Sequence, residues 1–129
     1  MNARFYHISI NVHDFEFYKR LLEYLGFRIV VEYKRGFGAS DDASSIWVFQ
    51  ITKKYAVRGF HRKNIGLNHV AFRVANREDV DTFYKNYLLQ HGIPVLYGGP
   101  AERPEYEKGY YAVYFEDPDR IKLEVVHKP

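Results

Sequence analysis

The most constraining feature of this 129-residue sequence is that it repeats itself. Residues 5–12 read FYHISINV and residues 67–74 read LNHVAFRV, and each segment has His in third place. In both segments apolar and polar residues alternate, which predicts strands with one buried and one polar face. A stretch with helical spacing follows each strand, at 14–25 and at 77–91, and each ends at a glycine. The repeat predicts two copies of one small module.

Further strand patterns follow the helix in each half. The first half has RIVVEY and IWVFQIT, and a short third strand at 36–39 is left open. The second half has IPVLY, YYAVYF and IKLEVV, and the last two are joined by the turn Glu116-Asp117-Pro118-Asp119. Arg120 follows this turn, and its backbone is strained if the position requires a positive φ. We expect one domain over 1–129, with module one at 1–54, a linker at 55–66 and module two at 67–129.

Composition restricts the class of protein. Cysteine is absent, which excludes disulfides and thiolate metal sites. The net charge of +3 is too small to indicate a nucleic-acid partner. No apolar run approaches the roughly 20 residues of a membrane helix, and the first residues lack a secretion-signal pattern. We therefore expect a cytoplasmic protein that binds neither nucleic acid nor membranes.

Four positions form a candidate metal site. The repeat pairs His7 with His69, and aligning WVFQIT on IKLEVV pairs Gln50 with Glu124. Because a two-fold repeat brings equivalent positions together near its pseudo-axis, the two imidazoles, the amide oxygen and the carboxylate are expected to converge. Such nitrogen and oxygen ligands suit a divalent cation with positions left for substrate. Taken singly, each residue is more often an ordinary polar residue on a strand, and only the repetition favours a site.

Several motifs resemble one known superfamily. These are HISINV at 7–12, LGF at 25–27, GLNHVAFRV at 66–74 and YFEDPDRIKLEVV at 114–126. Together they resemble the vicinal oxygen chelate superfamily, which contains glyoxalases, bleomycin-resistance proteins and extradiol dioxygenases. The resemblance implies an α+β fold of two βαβββ modules, whose curved mixed sheets form a cup around a metal ion. It places the metal ligands at His7, Gln50, His69 and Glu124.

The resemblance also implies a chemistry. The ligand set is similar to that of some glyoxalase I enzymes and methylmalonyl-CoA epimerases. It implies a lyase or isomerase that removes a proton next to a carbonyl through a metal-stabilised enediolate. Glu124 would act as both ligand and catalytic base, and Gln50 as a neutral ligand. We expect Zn, Ni, Co or Mn rather than Fe, a small substrate with vicinal oxygens, and a homodimer.

Softer predictions concern the substrate and the alternatives. Trp47, Arg73, Tyr110 and Tyr114 are candidate substrate-binding residues, although aromatic strands more often belong to the core. An extradiol dioxygenase or a fosfomycin-type transferase would use the triad His7, His69 and Glu124 on the same scaffold. A metal-free drug-binding resistance protein is the third alternative, and such proteins normally lack the ligand set.

Overall fold

A computed structural model describes residues 1–56 and 59–129. The chain divides into two compact units, Met1–Gly59 and Phe60–Pro129, and each is described by itself. The division falls inside the segment predicted as the linker, in which Val57 and Arg58 lie outside the described residues. None of the described helices is both long and apolar enough to span a bilayer.

The first unit has a β-α-β-β-β order. Its elements are β1 (His7–Val12), α1 (Phe15–Tyr24), β2 (Arg28–Tyr33), β3 (Gly36–Ser40) and β4 (Ser45–Gln50), followed by a 3-10 turn at Lys53–Tyr55. The strands lie in the order β1-β4-β3-β2. β1 runs parallel to β4, whereas β3 pairs antiparallel with both β2 and β4. The short strand left open at 36–39 is present as β3.

The second unit repeats the same topology. Its elements are β5 (His69–Arg73), α2 (Arg77–Phe83) continued by a π-helical segment at Tyr84–Leu88, then β6 (Val95–Glu102), β7 (Tyr111–Glu116) and β8 (Lys122–His127). The strand order is β5-β8-β7-β6, with β5 parallel to β8. The predicted α+β fold of two βαβββ modules is therefore confirmed.

In each unit the helix buries one face of the sheet. In the first, Asp14 caps α1 by accepting a hydrogen bond from the Phe17 amide at 3.1 Å. Leu21 and Leu22 of this helix are fully buried, and each such side chain contributes about 2 kcal/mol of burial energy. In the second, Phe83 packs against the Phe115 ring at 5.4 Å. Because side chains alternate along a strand, the opposite face is left for polar groups.

Two loops contain residues with an unusual backbone conformation. The strand at IPVLY extends further than its sequence pattern indicates, because β6 continues to Glu102 through an irregularity between Leu96 and Ala101. Tyr97 sits in this irregularity with a φ of 55°, a left-handed conformation that is unusual for a residue with a side chain. Arg120 likewise has a φ of 65°, so the turn keeps the conformation that glycine prefers and Arg carries its strain.

Candidate metal centre

His69 and Glu124 come together through the parallel pairing of two strands. In this ladder Ala71 lies opposite Glu124, and His69 lies two residues earlier on the same face. His69 Nε2 is 3.1 Å from Glu124 Oε2. The Glu124 side chain is only 1% exposed, so its carboxylate requires compensating partners on this face.

Asn68 fixes the tautomer of His69. The amide nitrogen of Asn68 is 3.4 Å from the Arg62 carbonyl oxygen, which orients the amide so that its oxygen points away. That oxygen lies 2.7 Å from Nδ1 of His69. An amide oxygen is only an acceptor, so Nδ1 carries the proton and donates it. In the neutral imidazole Nε2 then holds a free lone pair, and this lone pair faces a carboxylate oxygen.

Two tyrosines lie beside the Glu124 carboxylate. The Tyr110 hydroxyl donates a 2.6 Å hydrogen bond to Oε1 of Glu124. Burial, followed by this hydrogen bond, raises the pKa of Tyr110 to about 12. Burial, with the charge of Glu124 and a hydrogen bond to it, also raises the pKa of Tyr114 far above its ordinary value. Both phenols therefore stay protonated at neutral pH, and Tyr110 orients Glu124 as a hydrogen-bond donor.

This donor pair fits a divalent cation. Two donor atoms that each lie about 2.1 Å from one ion are about 3.0 Å apart at a right angle and about 3.4 Å apart at a tetrahedral angle. The observed separation of 3.1 Å between Nε2 and Oε2 falls within that interval. Asn68 behind His69 and Tyr110 behind Glu124 are the kind of outer partners that orient metal ligands. Over residues 1–56 and 59–129, no three His, Cys, Asp or Glu side chains gather into one group.

In the first unit, the strand register puts Trp47 where the alignment put Gln50. His7 lies opposite Ser45, and Ser9 lies opposite Trp47. This matches His69 opposite Lys122 and Ala71 opposite Glu124 in the second unit. Trp47, not Gln50, is thus the structural equivalent of Glu124, and the sequence alignment was wrong by three residues. Both segments read as apolar strands with a single polar residue, so the sequence alone did not fix the register.

Gln50 and His7 do not come together within the first unit. Gln50 lies opposite Val12 at the far end of the pairing, five residues beyond the partner of His7, which is roughly 16 Å along a strand. Its side chain also alternates onto the face where Ile46 and Val48 are buried. The His7 ring instead contacts Trp47, with ring centroids 5.2 Å apart.

Among the predicted substrate contacts, Tyr110 and Tyr114 lie beside Glu124, whereas Arg73 does not. Arg73 is at the end of β5, where its guanidinium donates to the Lys128 carbonyl oxygen at 3.0 Å. Four residues separate it from His69, about 13 Å along the strand. The structure therefore gives Arg73 a partner in the backbone near the C-terminus.

Three residues near His69 and Glu124 were not identified from the sequence. Lys122 is two residues before Glu124, so strand alternation could have indicated it. Asn68 directly precedes His69, and alternation would place it on the opposite face. Arg103 lies in a loop without periodicity, and no sequence pattern marked it. Its guanidinium carbon is 5.5 Å from the centre of the Tyr114 ring.

Comparison with known proteins agrees with this architecture. The model of the Glyoxalase/Bleomycin resistance protein/Dioxygenase superfamily matches residues 4–125. The uncharacterized protein YqjT of Bacillus subtilis (strain 168) is 32% identical over 127 residues, covering 94% of this chain and 96% of that protein. A crystal structure of a candidate glyoxalase from Bacillus halodurans is 35% identical, with a TM-score of 0.82 and coverage of 96% of this chain and 95% of that one.

A likeness in fold extends to a more distant protein. The genomically encoded fosfomycin resistance protein FosX from Listeria monocytogenes has a TM-score of 0.72 at 17% identity, covering 100% of this chain and 96% of its own. The duplicated βαβββ topology, the paired His69 and Glu124, and the match over most of the sequence lead to one assignment. The chain belongs to the Glyoxalase/Bleomycin resistance protein/Dioxygenase superfamily.

Proposed function

We propose that this protein is a metal-dependent lyase or isomerase of the glyoxalase type, with His69 and Glu124 as metal ligands. The observation that carries the proposal is the free lone pair of His69 Nε2, 3.1 Å from Glu124 Oε2, with Nδ1 committed to Asn68. Two lone pairs at this distance repel each other unless a proton or a metal cation is shared between them, and we propose a metal cation. A divalent ion satisfies both atoms, and His7 remains the predicted third ligand from the repeat.

The chain's own residues supply the remaining requirements of proton transfer. A divalent ion, when bound, would polarise the substrate carbonyl and stabilise the negative charge that develops on its oxygen. Glu124 is the proposed base that takes the proton from the neighbouring carbon and returns it. Tyr110 holds the carboxylate through Oε1, so Oε2 keeps a fixed direction. Glu116 does not compete for this role, because the Arg62 guanidinium binds its carboxylate at 2.8 Å.

Metal content and proton exchange test the proposal together. Purified protein is loaded with Zn, Ni, Co or Mn, dialysed and measured by elemental analysis. The hemithioacetal formed from methylglyoxal and glutathione is then incubated with each form in D₂O, and NMR follows deuterium incorporation and isomerisation. We expect one metal equivalent per chain and metal-dependent exchange. Glu124→Gln abolishes exchange, whereas the exposed Glu105→Gln leaves it unchanged.

Other results would select other members of the superfamily. Iron retention with oxygen uptake on catechols would replace the proposal with a dioxygenase. Failure to retain any divalent metal, in protein that unfolds cooperatively, would contradict it. If the protein retains metal and Glu124→Gln still catalyses proton exchange, the metal centre is supported but Glu124 is not the base.

A further inference from the structure

We propose that the face beside Glu124 binds an anionic group of the substrate, a carboxylate or a phosphonate, through Arg103 and Lys122. The proposed substrate class is therefore a small anion that also carries vicinal oxygens. The placement next to a metal rests on the proposed function, but the anion contact itself rests on separate observations in the second unit.

Arg103 is a half-buried cation, and two of its nitrogens lack a hydrogen-bond partner among the described residues. Its Nε and Nη2 atoms are shielded from solvent, and neither has a hydrogen-bond partner anywhere in the described parts of the chain. The guanidinium lies over two tyrosine rings, 5.8 Å from the centre of Tyr97 and 5.5 Å from that of Tyr114. Ring faces attract a cation but do not satisfy its N–H groups. Buried guanidinium donors are normally paired, so these two lack an acceptor.

Lys122 adds a second cation over the same two rings. Its ammonium nitrogen is 5.2 Å from the centre of Tyr97 and 4.7 Å from that of Tyr114. Burial by itself raises the pKa of Tyr97, but the hydrogen bond from Lys122 and the nearby charge of Arg62 outweigh it and lower the pKa below its ordinary value. The direction of this shift agrees with a locally positive face.

The carboxylates on the face beside Glu124 already have partners within the chain. Glu124 accepts a hydrogen bond from Tyr110 and lies 3.1 Å from His69. Glu116 is held by Arg62 at 2.8 Å and lies 3.5 Å from Arg120. In the described ranges neither Arg103 nor Lys122 has a carboxylate within 4.0 Å. The face therefore carries two cations whose charge is not neutralised within the chain.

Tyr114 connects these cations to the proposed metal ligand. Both cations lie near its ring, and Tyr114 lies opposite Glu124 in the pairing of β7 with β8. Only the side chain of Tyr114 would thus separate Glu124 from a ligand that contacts Arg103 and Lys122. A planar guanidinium with two free N–H groups matches the paired oxygens of a carboxylate or phosphonate. A small molecule with an anionic end and vicinal oxygens would meet both sets of groups.

Two hydroxamates that differ in one anionic group test this inference. Acetohydroxamate offers only vicinal oxygens, whereas phosphonoacetohydroxamate adds a phosphonate. Binding of each to Mn²⁺-loaded protein is measured by calorimetry. We expect the wild-type protein to prefer the phosphonate by roughly 10-fold to 100-fold, the range of a charge-assisted hydrogen bond. Arg103→Met should remove most of this preference and leave acetohydroxamate binding unchanged.

Matched variants separate charge from folding. Lys122→Met should reduce the preference in part, and Arg103→Lys should restore part of what Arg103→Met loses. Lys108→Met should behave as wild type, because Lys108 is an exposed lysine of the same loop and pairs with no described residue. Thermal unfolding of each variant confirms that the fold is kept.

The two proposals fail in different ways. If Arg103→Met keeps the wild-type preference, or the wild type shows none, the anion site is wrong and the metal centre is unaffected. If no hydroxamate binds, inorganic phosphate is titrated into metal-free protein. If phosphate binds the wild type but not Arg103→Met, the anion site is supported although the metal centre fails. If phosphate binds both proteins equally, the anion site is wrong.

Discussion

Replacing Asn68 by alanine is the sharpest test of the metal centre. The hydrogen bond between the Asn68 oxygen and His69 Nδ1 is 2.7 Å long, and it selects the tautomer whose Nε2 is free to bind a metal. Without it the ring is free to turn and to place the proton on Nε2. Loss of such an outer partner typically lowers metal affinity 10-fold to 100-fold. The expected loss is therefore about 1.4 to 2.7 kcal/mol of binding free energy.

The assay is a competition for Zn²⁺ or Co²⁺ between the protein and a chromophoric chelator at fixed pH. Asn68→Asp keeps an acceptor for Nδ1, so its metal affinity should stay near or above the wild-type value. Asn86→Ala, an exposed asparagine in the π-helical segment, is the matched control. Equal affinities for wild type and Asn68→Ala, in folded protein, would refute the tautomer argument.

Three further predictions follow from the same structure. Because the pKa of Tyr110 is raised to about 12, its contribution to stability is full below about pH 10 and is lost as pH rises through about 12. Urea unfolding across this pH range should show a steeper fall in the free energy of unfolding for wild type than for Tyr110→Phe. Parallel curves for the two proteins would contradict the prediction. A Cβ at Gly36 would clash with the Val48 carbonyl oxygen, whereas one at Gly59 meets nothing within 4 Å. Gly36→Ala should therefore cost about 2 kcal/mol in the free energy of unfolding and Gly59→Ala almost nothing, as measured by denaturant titration, and equal costs would count against the close contact. Gln50→Glu should leave metal affinity unchanged in the chelator competition, since Gln50 occupies the helix-side face of its strand, and a change of 10-fold or more would restore it as a ligand.

The repeat was readable from the sequence because it depends on local periodicity. The paired strands at 5–12 and 67–74 and the helices after them were predicted from spacing, and the structure has them within a few residues. Periods of 2 and 3.6 residues record which face of each element is buried, and this is a local property of the chain. The superfamily assignment followed from the same segments and is confirmed.

The register of the first module was not readable in this way. Gln50 and Trp47 lie on the same strand, and choosing between them as the equivalent of Glu124 requires knowledge of hydrogen bonds to β1. A strand pattern fixes which residues share a face but does not fix how far one strand slides along another. The structure settles this with Ser9 opposite Trp47.

The sequence by itself determined the duplicated topology, the polar face that carries His69 and Glu124, and the capped helices that bury the other face. Only the tertiary structure decided that Asn68 sets the histidine tautomer, that Tyr110 orients the carboxylate, and that Arg103 packs on Tyr114 from an irregular loop. The reason is physical: alternation is encoded between neighbours in the chain. The partners of a buried charge are instead selected by distances between residues far apart in sequence, which only folding establishes.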